Sequence, residues 1–181
     1  TEFFLAMDRP DVVKSIISHV FSNQFSDDGN WPQWFMFDKY ETQKSGESHG
    51  DVIVWPMKIV SDYLAKTDDY DILSMLLPYS NRSTFRQTTE KDTLMNHLKK
   101  EIQYIESNFL PGTYLSCYGD GDWDDTLQPN NSLLKKNMAS SWTVALTYQV
   151  IGSLANVLAS YDEDYAKHLD TLQKNIKSDY E

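Results

Sequence analysis

The sequence predicts an all-α domain spanning residues 1–181. Apolar residues recur at helical spacing in five separate segments. The chain has neither the alternating strand and helix patterns of a parallel sheet nor a glycine-rich phosphate loop. We therefore expect six or seven helices, two long loops and no sheet of more than two short strands.

The first half of the chain contains three predicted helices and one long loop. A first helix begins at Pro10, which suits a first helical turn. A loop rich in aromatic residues follows over residues 30–40. The second helix is predicted from Ile53 to Lys66, and the third from Asp69 to Leu77, where Pro78 would stop it.

The second half contains three further predicted helices around a second long loop. A polar connector over residues 81–89 leads to a helix from Glu90 to Phe109. The acidic loop, residues Tyr118–Pro129, follows. An apolar helix is predicted from Ser140 to Ser160, and an amphipathic helix from Asp162 to Tyr180. Polar residues interrupt the apolar helix, which therefore indicates a buried helix and not a membrane span.

Composition narrows the classes of function. The net charge of −11 and the pI of about 4.7 argue against binding to nucleic acid or to an anionic membrane. A neutral polyol fits better, and aromatic residues at 13% suit sugar stacking as well as an ordinary core. Cys117 is the only cysteine, so no internal disulfide or thiolate zinc site can form. We therefore expect no metal and a cytoplasmic location. We also expect a chain excised from something longer, because residue 1 is not Met and no basic leader is present.

The acidic loop is the strongest candidate for a functional site. It holds four carboxylates, Asp120, Asp122, Asp124 and Asp125, together with two glycines and Trp123. Neighbouring carboxylates raise one another's pKa, and a carboxyl group that keeps its proton near neutral pH can act as a general acid. Glycines let the backbone turn and approach a ligand closely. The loop therefore indicates half of a sugar-cleaving site.

Two other interpretations of the loop stay open. In a calcium-binding EF-hand loop, Asp120, Asp122 and Asp124 would take the first, third and fifth positions, but Asp125 and Asn131 stand where Gly and Glu are required. The loop could also be an acidic surface turn without chemistry. Trp123, a residue type usually buried, argues against the plain turn.

Residues 121–125 resemble the Gly-Asp-Trp-Asn-Asp signature of the inverting sugar phosphorylases of glycoside hydrolase family 94. The continuation to Pro129 is most similar to the 1,2-β-oligoglucan branch of that family. The resemblance implies that Asp125 is the general acid, that Trp123 stacks near the reacting sugar and that Asp122 braces the loop. Asp124 stands where many relatives have Asn. Inorganic phosphate would be the co-substrate, and no cofactor is implied.

Two further segments resemble substrate-binding parts of the same family. Residues 48–56 match a run that ends in a Trp and a Pro, which implies that Asp51 holds sugar hydroxyls, with His49 and Trp55 beside it. From the residues alone, Asp51 could equally be a helix cap. The aromatic loop is similar to a substrate-side loop, which implies that Trp31 and Trp34 form a sugar platform; alternatively, its aromatics could tuck it onto the core. We expect all these tryptophans on the side of the acidic loop.

The resemblance also implies a larger assembly. The family fold is an (α/α)6 barrel of twelve helices, of which this chain would hold about half. The rest of the parent polypeptide would supply the phosphate-binding residues, so the isolated chain should have little activity; a homodimer is left open. The implied reaction is inverting phosphorolysis of β-glucan oligosaccharides, with β-1,2 linkages favoured, to α-glucose 1-phosphate. An inverting hydrolase and a non-catalytic glucan-binding module are the alternatives.

Overall fold

The computed structural model describes residues 1–124 and 130–181. Within these ranges the chain forms seven α-helices, one pair of strands and three short 3₁₀ turns. The helices are α1 (Glu2–Ala6), α2 (Pro10–Phe21), α3 (Trp55–Thr67), α4 (Leu94–Ser107), α5 (Ser132–Asn137), α6 (Ser141–Leu158) and α7 (Glu163–Tyr180); the strands are β1 (Leu76–Ser80) and β2 (Gln87–Thr93); the 3₁₀ turns are Asp38–Tyr40, Val52–Val54 and Tyr70–Ser74.

The core lies along a row of four helices. Helix α3 packs against α2 on one side and α6 on another, and α7 packs on α6. Val60 and Leu64 of α3 and Ile151 and Leu154 of α6 are fully buried. The prediction of a buried apolar helix at α6 is confirmed, because its position between α3 and α7 covers most of its circumference. Among the described residues, no helix is both long and apolar enough to cross a membrane.

A two-stranded antiparallel sheet replaces part of the predicted helical structure. The predicted third helix is only the short turn Tyr70–Ser74, after which the chain extends as β1. Pro78 lies inside this strand, opposite Lys91 of β2, instead of stopping a helix. The prediction of an all-α fold is therefore wrong at this hairpin, although the expectation of at most two short strands holds in the described part of the chain.

Helix α4 begins four residues later than predicted. Residues 90–93 belong to β2, and the Thr93 hydroxyl accepts a hydrogen bond from the Asn96 N–H at 3.2 Å, which caps the helix. The remainder of the predicted helix is confirmed over Leu94–Ser107.

Glu101 of α4 stabilises the start of α3 from inside the core. Its Oε1 accepts a hydrogen bond from the Met57 N–H at 3.1 Å, in the first turn of α3. Its Oε2 has no hydrogen-bond partner among the described residues. Complete burial raises the pKa of the Glu101 carboxyl well above its usual range, which favours its protonated, neutral form. The neutral acid thus satisfies one of the free N–H groups that every helix start exposes.

Candidate active site

Main-chain hydrogen bonds fix the start of the acidic loop, one to the end of α4 and one to the segment before α6. The Cys117 N–H donates to the Asn108 carbonyl at 3.0 Å, just after α4. The Tyr118 N–H donates to the Met138 carbonyl at 2.6 Å, just before α6. The loop therefore leaves from between α4 and α6. Burial raises the pKa of the Cys117 thiol, which disfavours the nucleophilic thiolate form.

Asp122 is the buried anchor of the loop. Its Oδ2 accepts a hydrogen bond from the Ser140 hydroxyl at 2.5 Å, and its Oδ1 accepts one from the Asp124 N–H at 3.0 Å. The Tyr118 hydroxyl lies 3.4 Å from the same Oδ1. Burial, together with the Asp122 carboxylate, raises the pKa of Tyr118, so this hydroxyl stays protonated and can donate. These contacts tie Asp122 to the start of α6, and the role of Asp122 in bracing the loop stays a prediction.

The segment before α3 lies directly against the acidic loop. The Gly50 N–H donates to the Gly121 carbonyl at 2.7 Å. His49 Nδ1 lies 3.0 Å from the Asp122 carbonyl, which can only accept, so Nδ1 carries a hydrogen. A Cβ atom on Gly50 would lie 2.9 Å from the Tyr118 carbonyl oxygen, so the approach requires glycine there. Two segments about 70 residues apart in sequence are thereby locked together.

Asp51 is buried beside this contact, but it does not cap a helix. Its carboxylate accepts no hydrogen bond from an N–H of the following 3₁₀ turn. Its Oδ2 instead accepts from the Trp55 indole N–H at 3.3 Å. The cap interpretation is therefore not supported, and the expected role of Asp51 in holding sugar hydroxyls stays a prediction. Trp55 itself is 39% exposed and borders the same region.

The tryptophans differ in their exposure. Trp123 is 64% exposed, and its ring centroid lies 6.0 Å from that of Trp142 at the start of α6. Trp34 is also exposed, one residue after Gln33, whose Oε1 accepts from the His49 N–H at 2.7 Å. Both rings are therefore open to solvent, and Trp123 belongs to the acidic loop itself.

The prediction that Trp31 forms part of a sugar platform is wrong. Its side chain is only 1% exposed, and its ring packs edge-on against Phe21 with centroids 5.3 Å apart. The indole N–H donates to the Val20 carbonyl at 2.9 Å. Both the ring and its donor are used inside the core, so no face is open to a sugar. At this position the alternative of a loop held onto the core by its aromatics is correct.

Asp125, the predicted general acid, lies outside the described residues, as do residues 126–129. The three acids before it do not converge as calcium ligands would. Asp120 forms an ion pair with Lys135, with Oδ1 and Nζ 2.5 Å apart, whereas Asp122 faces Ser140. In residues 1–124 and 130–181, no group of three His, Cys, Asp or Glu side chains could hold a metal ion.

Three contributors to the site were not identified from the sequence. Ser140 joins Asp122 to α6, Trp142 lies beside Trp123, and Gln33 positions His49. A signal existed only for Ser140, since a serine directly before an apolar helix is a typical N-cap. The other two depend on tertiary contacts between segments far apart in sequence.

Comparison with known proteins places the chain in a family. Residues 4–179 match the model of the glycosyl hydrolase 94 superfamily catalytic domain. The chain is 51% identical over 179 residues to a 1,2-beta-oligoglucan phosphorylase of Listeria innocua serovar 6a, covering 99% of this chain and 16% of that protein. It is 26% identical over 170 residues to a solabiose phosphorylase of Paenibacillus borealis, covering 93% of this chain and 20% of that protein.

The chain thus spans at most a fifth of the length of these curated relatives. Nearly all of it matches one family model, and the matched range includes the segment before α3, the acidic loop and the start of α6. The chain therefore belongs to the glycosyl hydrolase 94 superfamily, as part of its catalytic domain.

Proposed function

We propose that this chain supplies the general acid and part of the sugar site of an inverting phosphorylase that acts on β-glucan oligosaccharides. The observation that carries the proposal is the hydrogen bond between the Gly50 N–H and the Gly121 carbonyl. It joins the segment that contains Asp51, the residue expected to hold sugar hydroxyls, to the segment of Asp122 and Trp123, which Asp125 follows in the sequence. The name of the Listeria relative favours β-1,2 linkages.

In the proposed mechanism, Asp125 donates a proton to the glycosidic oxygen as the C–O bond breaks. Inorganic phosphate attacks the anomeric carbon from the opposite face, so the configuration inverts and α-glucose 1-phosphate leaves. Trp123 lies under the reacting sugar, and Asp51 accepts hydrogen bonds from its hydroxyls. Asp122 keeps the loop in place through Ser140 and does not itself react.

The names of the two relatives, both phosphorylases, favour a phosphorylase over a hydrolase, and the contacts of Asp51 and Asp122 are consistent with this choice. An inverting hydrolase needs a second carboxylate that activates water, about 6.5–9.5 Å from the acid. Asp51 accepts a hydrogen bond from the Trp55 indole, and Asp122 accepts from Ser140. In the proposal both carboxylates hold other groups, and phosphate, which is already an anion, is the nucleophile, as the names of the two relatives suggest.

We further propose that the helical row α2–α3–α6–α7 is part of an (α/α)6 barrel. The remaining helices and the phosphate-binding residues would come from the rest of the polypeptide. The cytoplasmic location stays a prediction that depends on the single Cys117.

The test is to incubate the complete polypeptide with β-1,2-linked gluco-oligosaccharides, with and without inorganic phosphate, and to identify products by ¹H NMR. We expect α-glucose 1-phosphate only when phosphate is present. Free glucose without phosphate would establish the hydrolase instead, and binding without any product would indicate a non-catalytic module. The 181-residue chain, assayed in parallel, should give little product.

A further inference from the structure

The aromatic loop and the residues that follow it form a short hairpin over residues 33–45, which runs from the candidate active site to a cavity at its tip. The Ser45 N–H donates to the Trp34 carbonyl and the Met36 N–H to the Gln43 carbonyl, each at 3.0 Å. At its base, Gln33 contacts His49 of the active site. Its tip bends towards the end of α2, where the Phe37 and His19 rings meet edge-on. A cavity of about 200 Å³ lies between this tip, α2 and the start of β2.

Lys44 is the central polar group of this hairpin-tip cavity. The side chain is only 6% exposed, and its ammonium donates to Asn23 Oδ1 at 2.6 Å and to Ser80 Oγ at 3.0 Å. Both partners are neutral, and no carboxylate of the described residues lies within 4.0 Å. An ammonium has three donors. The third is unused by the described part of the chain, while Lys44 lines the cavity.

A buried cation with an unused donor is costly, so its presence needs a reason. Burial lowers the pKa of Lys44, although the nearby Glu41 carboxylate acts in the opposite direction. The described residues therefore compensate the charge of Lys44 only in part, through Glu41, and provide acceptors for two of its three donors. A ligand atom that accepts a hydrogen bond in the cavity would satisfy the third donor.

The other lining groups indicate which ligand would fit. Asp38 and Glu41 provide carboxylate acceptors, and Gln87 provides an amide that can donate and accept. Phe37, 57% exposed, presents an apolar ring at the rim. Hydroxyl groups can accept from Lys44 and donate to the carboxylates, and the C–H face of a sugar can lie on Phe37. A phosphate ion would meet two like charges for one buried cation, so an anion is disfavoured.

We propose that the hairpin-tip cavity binds one sugar ring of a glucan chain, at a distance from the acidic loop. The choice of a glucan rests on the proposed function. The cavity volume is below the range of about 300–1,000 Å³ typical of pockets for drug-sized ligands, which suits a single ring. The five residue steps from Gln33 at the base to Asp38 at the tip span at most about 16 Å when extended. Long glucans should therefore use this cavity, and a disaccharide held at the acidic loop should not.

The first experiment locates binding. The ¹⁵N-labelled 181-residue chain is titrated with a β-1,2-linked glucotetraose and, separately, with inorganic phosphate. We expect the sugar to shift the amide signals of His19, Phe37 and Gln87 in a saturable way and phosphate to leave them in place. Absence of these shifts with the sugar, or equal shifts with phosphate, would overturn the proposal.

The second experiment uses a matched pair of variants. Phe37→Ala removes an exposed ring at the rim, and Tyr40→Ala removes an exposed ring of the same hairpin that does not line the cavity. Phe37→Ala should weaken the affinity for the sugar, measured from the amide shifts, by about tenfold, which is the effect of one lost aromatic contact. Tyr40→Ala should change this affinity little. Equal losses in both variants would contradict a site in this cavity.

The complete polypeptide separates this proposal from the proposed function. Phe37→Ala should raise KM for a long glucan several-fold and leave KM for the disaccharide unchanged. If the enzyme forms glucose 1-phosphate but Phe37→Ala has no effect on either substrate, the cavity proposal falls alone. If no sugar phosphate forms, the proposed function falls, and the amide shifts still decide whether the cavity binds sugar.

Discussion

The Ser140 hydroxyl donates to Oδ2 of Asp122 and lies 3.3 Å from the N–H of Thr143, in the first turn of α6. One small side chain therefore caps a helix and fixes the acidic loop. The hydrogen bond to Ser140 also places the Asp122 carboxylate near the N-terminus of α6, where the helix dipole favours negative charge.

Ser140→Ala should lower the free energy of unfolding by about 1–2 kcal/mol, because it removes the cap and a hydrogen bond to a buried carboxylate. The measurement is urea unfolding of the chain. Ser153→Ala is the matched control, since the Ser153 hydroxyl on the exposed side of the same helix only donates to the Gln149 carbonyl. Equal effects of both changes would mean that the link to Asp122 has no energetic role.

Asp125→Asn should abolish phosphorolysis of unactivated glucan by the complete polypeptide, with little change in binding. Asparagine keeps the shape of the side chain but cannot release a proton, and general acid catalysis contributes on the order of 10²–10⁴-fold. A sugar fluoride donor, whose leaving group needs less protonation, should be affected less in the synthetic direction.

Asp122→Asn and Asp124→Asn accompany that variant as controls. If Asp125→Asn keeps near wild-type rates while one neighbour is inactive, the general acid is misassigned to Asp125. If all three variants stay active, the acidic loop is structural and the proposed enzyme mechanism is wrong.

Replacement of Trp31 by alanine should mainly reduce stability, whereas replacement of Trp123 should mainly reduce glucan binding. Trp31→Ala should cost about 3–5 kcal/mol of unfolding free energy, because it leaves a cavity in the core. Trp123→Ala should change stability by less than about 0.5 kcal/mol, as surface substitutions usually do, but should weaken glucan binding. Thermal unfolding and calorimetric titration with oligosaccharide measure the two effects. A stable Trp31→Ala protein would contradict the core assignment.

Glu101→Gln should change the pH dependence of stability. The native Glu101 carboxyl keeps its proton, whereas the unfolded chain releases it near its ordinary pKa of 4.5. The contribution of Glu101 to the free energy of unfolding therefore falls as pH rises above about 4.5. Glutamine has no such proton to lose and can still accept from the Met57 N–H, so its stability relative to wild type should increase from pH 4.5 to pH 7.

Glu101→Leu is the counterpart, because it removes the acceptor for the Met57 N–H. It should be less stable than Glu101→Gln by about 1–3 kcal/mol throughout this pH range. A difference between wild type and Glu101→Gln that does not vary with pH would show that Glu101 ionises normally in the folded chain.

The long helices could be predicted from the sequence because their apolar spacing records which face is buried. Helices α6 and α7 were located to within two residues. The strand β2 could not be found in this way, since Gln87–Thr93 is polar and mostly exposed. Its structure comes from hydrogen bonding to β1, which is a tertiary effect that local pattern does not record.

The candidate site shows the same division. Trp31 and Trp34 are the same residue type in the same loop, yet one is a core residue and the other is exposed. The indole donor of Trp31 finds the Val20 carbonyl only after the loop has folded back on α2. Asp51 could be placed beside the acidic loop only through a family resemblance, because an acid before an apolar run is as consistent with a helix cap.

The close approach at Gly50 limits how this site can be altered or transplanted. Any side chain there would collide with the Tyr118 main chain, so the loop could not keep its course. An engineer who grafts the acidic loop onto another helical scaffold would have to carry residues 48–51, residues 118–124 and Ser140 as one unit. Natural exchange of this loop between relatives should obey the same restriction, with the two distant segments inherited together.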